Sequence, residues 1–398
     1  MTSRPLHAVL PGGPGAGERV LGALEAALAG TGPAILPLDP ALPRPRLAAL
    51  LEAFAPSAVE TAEGTERYRP ARPAPGVGPD TALVIATSGS TGQPKGTELS
   101  AAALLASARA SLRRIGARPG ERWLCCLPVF HIAGIQVLVR SLVAGAAPVI
   151  DGRLGPGALA ASGCAHVAVV PTQLRRLADA GADLSAVATI LLGGAAVPPG
   201  LLADARAAGG RVITTYGMSE TSGGCVYDGI ALDDVSVEIG PDGRIRIAGP
   251  VLFSGYRLRP DLTAQARDGR WFVTSDLGEI GPSGALRVRG RADDVIITGG
   301  EKVVAAEVEA ALATCAGVAD AAVVGRPDAE WGEVVTAVVV PADLSAPPPL
   351  AEIRAHVRDR LPGYAAPAAL LVVPELPLLP SGKPDREALR ARAAAAPW

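Results

Sequence analysis

The sequence predicts an α/β protein with a large N-terminal domain of helix-covered, mainly parallel sheets and a small α+β C-terminal domain. Strand-like and helix-like apolar runs alternate through the first half, short strands with glycine turns begin near residue 233, and a mixed pattern resumes after residue 290. The 398 residues, 49% of them hydrophobic, are enough for two or three domains. We predict an N-terminal domain over 1–291, with a β-rich subdomain at 232–291, and a C-terminal domain over 292–398.

Apolar periodicity assigns the elements of the first half. Helices are predicted over residues 21–29, 101–115, 132–144 and 174–180. Strands are predicted over residues 34–38, 82–86, 123–127, 147–150, 165–170, 190–192 and 211–215. Ser100 and Thr172 are suitable N-caps for the helices that follow them. Such alternation is typical of a mainly parallel sheet covered by helices.

The second half has shorter elements of mixed type. They are predicted as strands over 235–239 and 243–247, a helix over 305–314, strands over 321–324 and 334–340, and a helix over 351–361. Near the N-terminus, the glycine-rich residues 12–17 superficially resemble a dinucleotide-binding loop. Because no strand of adequate length is predicted before them, we expect an irregular start to the chain.

Composition narrows the range of partners. The formal net charge is −2 and 19% of the residues are charged, which gives no basic surface field for nucleic acid. The five cysteines include no C-x-x-C pair and no metal-ligand cluster, a usage typical of the reducing cytoplasm. The longest apolar segment, 134–150, is interrupted by Arg140, and residues 1–17 lack an apolar signal-peptide core. We expect a cytoplasmic protein without nucleic-acid binding or membrane insertion.

One loop has the composition of a phosphate-binding site. Residues 87–96 read TSGSTGQPKG and follow the apolar run 82–86, which is predicted to be a buried strand. Glycines let backbone N–H groups close on an anion, while hydroxyls and a lysine add donors and positive charge. The loop suits a nucleotide polyphosphate, although Gly96 after the lysine excludes a Walker A motif, and the alternative is a flexible linker. The candidate ligands are Thr87, Ser88, Ser90, Thr91, Gly92 and Lys95.

Further motifs follow this loop in a fixed order. They are YGMSET at 216–221, TSDLGE at 274–279, GRADD at 290–294 and PSGK at 380–383. Together with the loop they resemble the adenylate-forming enzymes, the superfamily of acyl-CoA synthetases, peptide-synthetase adenylation domains and luciferases. The resemblance covers residues 83–386. It implies the adenylate-forming enzyme fold and the use of ATP, Mg²⁺ and coenzyme A.

The resemblance also implies roles around the nucleotide. A carboxylate that attacks the α-phosphorus of ATP meets like-charge repulsion, so positive charge and a metal on the departing pyrophosphate are needed. Lys95 matches the residue that acts on the β- and γ-phosphates, and Glu220 matches the magnesium-linked glutamate. Taken singly, Asp276 could more readily cap a turn, Arg291 form a surface ion pair and Tyr216 belong to the core, but the motifs taken jointly and in order favour the nucleotide roles. The other implied ATP contacts are Gly193, Gly194, Ala195, Tyr216, Gly217, Ser219, Asp276 and Arg291.

The last motifs imply a mobile C-terminal domain. Lys383 matches the lysine that bridges the substrate carboxylate and the α-phosphate, and Asp293 matches the hinge about which the domain rotates. After rotation, a different face would support thioester formation. Trp331 is a candidate for contact with coenzyme A, with ordinary packing as the alternative. The residues that resemble the wall of the pantetheine channel are Gly299, Gly300 and Lys302.

The segment LPVFHIAG at 127–134 bears on the acid. Amino-acid-activating relatives carry an aspartate where His131 stands, so an α-amino acid is disfavoured; His131 is a candidate gate, with a buried structural histidine as the alternative. The continuation to Arg140 resembles the o-succinylbenzoate–CoA ligases of menaquinone biosynthesis. Arg140 could read the carboxylate that is not activated, or could extend to solvent. The candidate substrate contacts are His131, Gly134, Arg140, Thr221 and Ser222.

The resemblance therefore implies an AMP-forming acid–thiol ligase for a small aryl carboxylic acid. The alternatives are a ligase for another aryl or acyl acid, an adenylation enzyme that loads a carrier protein, and a silent nucleotide-binding protein. The phosphate loop begins near residue 87, earlier than in most relatives. We expect an abridged N-terminal region, a compact acid and an altered surface for any homodimer.

Overall fold

A computed structural model of the protein describes residues 3–72, 74–88, 94–152, 154–198, 200–378 and 384–396. The chain divides into two compact units. Unit one comprises Met1–Ala196, Leu201–Val237 and Ile247–Val273, and unit two comprises Val197–Gly200, Glu238–Arg246 and Thr274–Trp398. Within the described residues, no helix is long and apolar enough to cross a bilayer. The domain boundary at 291/292 stays a prediction.

Helices and strands alternate along most of the chain. The helices are α1 (Ala16–Leu28), α2 (Arg44–Phe54), α3 (Ala101–Ile115), α4 (Ile132–Ala144), α5 (Pro156–Ala161), α6 (Pro171–Asp179), α7 (Leu201–Ala207), α8 (Pro260–Gln265), α9 (Ala305–Leu312), α10 (Leu350–Arg358) and α11 (Arg386–Ala395). The first strands are β1 (Leu6–Val9), β2 (Ala34–Pro37), β3 (Ala58–Glu60), β4 (Thr65–Arg67), β5 (Thr81–Ser88), β6 (Pro94–Ser100), β7 (Trp123–Cys125), β8 (Val149–Ile150), β9 (His166–Val169), β10 (Thr189–Leu192), β11 (Val212–Met218) and β12 (Gly223–Tyr227). The later strands are β13 (Ile230–Ala231), β14 (Ser236–Ile239), β15 (Arg244–Ala248), β16 (Gly255–Tyr256), β17 (Arg267–Asp268), β18 (Trp271–Ile280), β19 (Leu286–Arg291), β20 (Val295–Thr298), β21 (Glu301–Val304), β22 (Val318–Asp328), β23 (Gly332–Pro341) and β24 (Ala369–Val372).

Two seven-stranded sheets form the framework of unit one. The first has the order β16-β6-β5-β2-β1-β3-β4, and its strands β5, β2, β1 and β3 are parallel. The second has the order β13-β12-β11-β10-β9-β7-β8 and is parallel from β8 to β11. The mainly parallel sheets predicted for this part of the chain are therefore present.

The N-terminus is a β–α–β unit, so the prediction of an irregular start is wrong. Strand β1 pairs in parallel with β2 on one side and with β3 on the other. This pairing buries Leu6 and Ala8 and stabilises a strand too short to be recognised from periodicity. Gly15, with φ of 70°, then caps α1 in the left-handed region that glycine adopts without strain. The glycine-rich segment is a strand-to-helix turn.

Two helices of unit one agree with their predicted bounds, whereas the predictions 21–29 and 174–180 begin after the observed starts of α1 and α6. The predicted helices 101–115 and 132–144 coincide with α3 and α4. The Ser100 hydroxyl accepts a hydrogen bond from the Ala103 N–H, as expected of an N-cap. The predicted cap Thr172 is wrong, because α6 begins at Pro171 and Val170 occupies the cap position. Proline favours the first helical position, since it has no N–H to leave unpaired.

Unit two contains a five-stranded sheet of order β21-β20-β23-β22, with β24 parallel to β23. Side chains alternate across it, as the two-residue period of a strand requires. Val323 contributes to a core with residues of α9 and α10, whereas Val324 packs with Leu389 of α11. Helices therefore cover both faces. The antiparallel pair formed by residues 276–280 of β18 with β19 lies in the same unit.

Candidate active site

Strands β5 and β6 form the hairpin on which the predicted phosphate loop lies. Thr87 pairs with Lys95, and the Thr87 hydroxyl donates to the Lys95 carbonyl at 3.3 Å. The loop predicted over 87–96 is too long, because antiparallel pairing extends β5 to Ser88 and begins β6 at Pro94. Outside the described residues lie the side chain of Ser88 and the predicted ligands Ser90, Thr91 and Gly92.

Glycines at the ends of β10 and β11 permit close approach of backbone. A Cβ on Gly193 would lie 2.2 Å from Thr215 Oγ1, and a Cβ on Gly217 would lie 2.1 Å from the Gly223 carbonyl oxygen. Gly194 has φ of 86° and, like Ala195, is exposed. The turn after β10 is therefore open backbone with little side-chain cover, a surface that a flat base can approach. Beside this turn in the second sheet, β11 carries the half-buried Tyr216.

A single 3₁₀ turn, Ser219–Thr221, follows β11 and carries Glu220. The Thr221 hydroxyl accepts from the Met218 N–H at 2.9 Å and donates to the Gly223 carbonyl at 2.7 Å. The Ser222 hydroxyl donates to the Val251 carbonyl at 2.8 Å, and both side chains are fully buried. Direct contact of Thr221 and Ser222 with a substrate is therefore not supported. Their hydroxyls fix the shape of the turn.

A tyrosine that the sequence analysis did not identify holds the Glu220 carboxylate. The Tyr256 hydroxyl donates to Glu220 Oε1 at 2.8 Å, and the Lys95 ammonium lies 5.4 Å from the centre of the Tyr256 ring. Lys95 and Glu220, the two charged residues predicted to act on the pyrophosphate, thus both contact the side chain of Tyr256. No sequence pattern could have identified it, because β16 has two residues and forms only by pairing with β6.

Glu220 has the chemistry of a magnesium ligand that acts together with a polyphosphate. Within the described part of the chain, no group of three His, Cys, Asp or Glu residues could form a metal cage. Tyr256 engages one oxygen of the Glu220 carboxylate and leaves the other oxygen without a described hydrogen-bond donor. Mg²⁺ commonly binds one or two carboxylates, substrate phosphates and water. The residues present therefore fit Mg²⁺.

His131 lies at the N-cap of α4, with an exposed side chain and its ring centre 4.8 Å from that of Phe130. The alternative of a buried structural histidine is wrong. Gly134, in the first turn of α4, is buried, and a Cβ there would lie 2.3 Å from the Pro128 carbonyl oxygen. The glycine is thus needed for packing of the helix against the preceding loop, and this accounts for it without substrate contact.

Arg140 lies nine residues beyond His131 in the sequence, which is about 13 Å along the axis of α4. Its side chain is 5% exposed, and its guanidinium lies 4.9 Å from the centre of the Trp123 ring. Burial lowers the pKa of Arg140, although Tyr227 acts in the opposite direction. Trp123 begins β7, whereas ligands bind at the carboxyl ends of parallel strands. Neither extension to solvent nor contact with a substrate is supported for Arg140.

In unit two, the guanidinium of Arg291 contacts two other predicted residues, Asp276 and Asp293. Asp276 and Arg291 are paired across β18 and β19. Arg291 Nη1 lies 3.4 Å from Asp276 Oδ1, and Arg291 Nη2 lies 3.2 Å from Asp293 Oδ2. Two of the predicted ATP contacts and the predicted hinge residue are therefore direct neighbours. Because Arg291 is half-exposed, these ion pairs contribute little to stability and can exchange for contacts with a ligand.

The turn between β20 and β21 contains Gly299 and Gly300, with φ of 57° and 86°. A Cβ on Gly299 would lie 2.6 Å from the Trp331 ring, so the glycine allows the indole to lie against the turn. Trp331 is 51% exposed, which is unusual for a residue that only packs. Lys302 is exposed on β21 opposite Ile297. Lys383 lies outside the described residues.

Family models match both the N-terminal and the C-terminal part of the chain. The model of the AMP-binding enzyme matches residues 30–249, and the model of the AMP-binding enzyme C-terminal domain matches residues 307–383. The chain belongs to the AMP-binding enzyme family. The resemblance to adenylate-forming enzymes and the predicted fold class are thereby confirmed.

Two bacterial relatives are similar to this chain over most of its length. The chain is 47% identical over 326 residues to a probable 2-succinylbenzoate–CoA ligase from Mycobacterium tuberculosis, covering 78% of this chain and 84% of that protein. It is 31% identical over 329 residues to the 2-succinylbenzoate–CoA ligase of Listeria monocytogenes, covering 78% and 70%.

A solved structure with an intermediate bound is similar to the whole chain. It is o-succinylbenzoate CoA synthetase (MenE) from Bacillus subtilis in complex with the acyl-adenylate OSB-AMP, with a TM-score of 0.83 and 27% identity over 98% of this chain and 89% of that one. The same Bacillus protein in complex with ATP and magnesium ion gives a TM-score of 0.83 and 26% identity over 98% and 90%.

Proposed function

We propose that the chain is an ATP- and Mg²⁺-dependent ligase that converts 2-succinylbenzoate and coenzyme A to 2-succinylbenzoyl-CoA in menaquinone (vitamin K2) biosynthesis. The reaction proceeds through an acyl-adenylate and releases AMP and pyrophosphate. Similarity to 2-succinylbenzoate–CoA ligases over 78% of the chain supports the choice of acid. The structural observation that carries the ATP chemistry is the meeting of Lys95 and Glu220 at Tyr256.

These two charges suit the departure of pyrophosphate. Lys95 would stabilise negative charge that develops on the leaving group, and Glu220 would hold the magnesium ion. When bound, Mg²⁺ neutralises charge on the phosphate oxygens. The protein as a whole has a formal net charge of −2, so attraction of the nucleotide depends on such local groups.

The remaining nucleotide contacts are assigned to two places. In unit one, the open turn at Gly193, Gly194 and Ala195 would receive the adenine edge. Asp276 would accept hydrogen bonds from the ribose hydroxyls, with Arg291 beside it. The other residues proposed at the base and the phosphates are Thr87, Ser88, Ser90, Thr91, Gly92, Tyr216, Gly217 and Ser219.

A lysine and a hinge would divide the reaction into two steps. Lys383 would bridge the attacking carboxylate and the α-phosphate during adenylation, which offsets their repulsion. Rotation about Asp293 would then withdraw Lys383. The turn with Gly299 and Gly300 would next admit the pantetheine arm, with Lys302 and Trp331 beside it. The thiolate of coenzyme A attacks the acyl carbon, and AMP leaves.

His131 is the proposed residue beside the acyl group. It lies at the start of α4 with an exposed side chain, on the side of the helix where the chain arrives from β7. An imidazole there can move aside for the acid or donate a hydrogen bond to its carbonyl oxygen. Arg140 is not assigned to the second carboxylate, because its guanidinium is buried against Trp123.

Pyrophosphate exchange tests the proposal most directly. With coenzyme A absent, the protein should exchange labelled pyrophosphate into ATP only when 2-succinylbenzoate and Mg²⁺ are present. Benzoate and succinate, each a part of the acid, are the matched controls and should give little exchange. Exchange with a different acid but not with 2-succinylbenzoate would refute the substrate while keeping the reaction type.

Product analysis distinguishes the acceptor. With coenzyme A and 2-succinylbenzoate, mass spectrometry should detect 2-succinylbenzoyl-CoA and AMP in equal amounts. Acylation of a carrier protein in place of coenzyme A would instead show a loading enzyme. We assign the reaction to the cytoplasm, a compartment that suits the five unpaired, buried cysteines. A homodimer stays a prediction.

A further inference from the structure

Tyr256 lies where two strands bring it beside Lys95. In the antiparallel pair of β16 and β6, Tyr256 is opposite Thr97 and Gly255 is opposite Glu98. Lys95 and Thr97 are two residues apart on β6, so their side chains emerge on the same face. A residue opposite Thr97 shares that face, and an aromatic side chain can reach its diagonal neighbour. This explains the distance of 5.4 Å between the Lys95 ammonium and the centre of the Tyr256 ring.

The segment 253–256 contacts Glu220 through its first and its last residue. The Tyr256 hydroxyl donates to Glu220 Oε1 at 2.8 Å, and the Phe253 N–H donates to the Glu220 carbonyl, also at 2.8 Å. The rings of Phe253 and Tyr256 are themselves in contact, with their centres 4.9 Å apart. The backbone and the carboxylate of Glu220 are therefore both fixed relative to Tyr256.

Tyr256 also separates two opposite charges that would otherwise attract each other. The ammonium faces the ring, while the carboxylate receives the hydroxyl. The Tyr256 side chain is itself largely buried, with the residue 9% exposed. Lys95 and Glu220 therefore both remain available to a bound ligand.

We propose that Tyr256 is a positioning residue for the adenylation step, which rests on the function proposed above. It holds one oxygen of the Glu220 carboxylate, so that the other would be available to Mg²⁺, and its ring lies beside Lys95, which would contact the phosphates. The hydroxyl acts on Glu220 and the ring acts on Lys95, so the two contributions can be removed one at a time.

Calorimetric titration with α,β-methylene-ATP at graded Mg²⁺ tests this inference without the acid or turnover. In Tyr256→Phe, the Mg²⁺ concentration that gives half-maximal nucleotide binding should rise about tenfold or more, because a hydrogen bond to a charged group is lost. Affinity at saturating Mg²⁺ should change by less than about threefold, since the ring remains. Tyr256→Leu should also weaken binding at saturating Mg²⁺.

The surface pair Tyr68 and Glu52 provides a matched control. The Tyr68 hydroxyl donates to Glu52 Oε1 in an exposed setting, so Tyr68→Phe removes the same kind of bond elsewhere. It should leave the Mg²⁺ dependence unchanged. In addition, Tyr256→Phe should have no further effect on the Mg²⁺ dependence in a Glu220→Gln background, because both changes act on one group.

The outcomes separate this inference from the proposed substrate. If wild type shows no exchange with 2-succinylbenzoate but Tyr256→Phe shifts the Mg²⁺ dependence, the substrate is wrong and the role of Tyr256 stands. If Tyr256→Phe lowers nucleotide affinity equally at every Mg²⁺ concentration, lowers only the melting temperature, or remains additive with Glu220→Gln, the role of Tyr256 is overturned. Should Tyr256→Phe fail to fold, Glu220→Gln alone must still shift the Mg²⁺ dependence, and an unchanged dependence overturns the inference.

Discussion

The Arg140 guanidinium lies 4.9 Å from the centre of the Trp123 ring in the interior of unit one. Two of its nitrogens, Nε and Nη1, are buried without a hydrogen-bond partner in the described structure. A buried charge with unpaired donors is costly, and the contact with the indole and the interactions with Tyr227 and Cys125 offset part of that cost. We therefore expect a structural role for Arg140, whose burial reduces the stability of the folded state.

Replacement of this arginine by methionine separates a structural role from a substrate role. Arg140→Met retains the length of the side chain and removes the buried charge, so the free energy of unfolding should be unchanged or raised by up to about 2 kcal/mol. The KM for 2-succinylbenzoate should change by less than about threefold. Urea unfolding and pyrophosphate exchange measure the two quantities, and the exposed Arg176→Met is the control. A rise in KM of about a hundredfold at unchanged stability would show that Arg140 contributes to substrate binding.

Gly217 is constrained by the backbone across from it. A Cβ at this position would lie 2.1 Å from the Gly223 carbonyl oxygen, so Gly217→Ala must shift β11 relative to β12. We expect Gly217→Ala to lower the free energy of unfolding by about 1–3 kcal/mol and to weaken ATP binding. Gly22→Ala, within α1 and with nothing near its Cβ, should raise the free energy of unfolding by about 0.5–1 kcal/mol. Equal effects of the two substitutions in urea unfolding would contradict this steric account.

Elements whose residues contact mainly one another locally were predictable from the sequence. Helices α3 and α4 have long apolar periodicity and clear ends, and both were located to the residue. Strand β1 was missed because its four residues are stabilised by neighbours on both sides, which no local pattern records. The phosphate loop was predicted too long for the same reason, since β6 forms by pairing with β5.

The candidate site divides in a similar way. Lys95, Glu220 and Asp276 could be named because each lies in a motif with a known chemical use. Tyr256 could not, since its significance comes from a contact with Glu220 across 36 positions of sequence. The functional interpretation of Arg140 depends on its charge and on a motif resemblance, and the packing against Trp123 shows where that charge lies.

The buried His166 should make the free energy of unfolding depend on pH. Its Nε2 lies 3.0 Å from Glu121 Oε2, and burial lowers the pKa of His166, with Arg211 and Arg140 acting in the same direction and Glu121 opposing. Below about pH 6.5 the unfolded chain binds a proton on His166 that the folded protein does not. The free energy of unfolding should therefore fall as the pH drops from 7.5 to 5.5, by at most about 1.4 kcal/mol per pH unit for this proton.

A neutral replacement should remove this dependence. His166→Gln can still donate to Glu121 but cannot titrate, so its free energy of unfolding should vary less between these pH values. The backbone N–H of Arg118 is the main cause that lowers the pKa of Glu121 to about 2, so Glu121 loses its contribution only below about pH 4.5 and does not interfere. His356→Gln serves as the control in urea unfolding at each pH. An unchanged pH dependence in His166→Gln would show that another group titrates.

Lys383 should act in one half-reaction only. If it bridges the carboxylate and the α-phosphate, Lys383→Ala should lower pyrophosphate exchange with 2-succinylbenzoate by at least about a hundredfold, because a charge that stabilises the transition state is lost. Thioester formation from supplied acyl-adenylate and coenzyme A should change by less than about threefold. Lys302→Ala, on β21 beside the turn proposed for the pantetheine arm, should show the opposite pattern. Equal losses in both half-reactions for Lys383→Ala would mean that the C-terminal domain does not alternate between two faces.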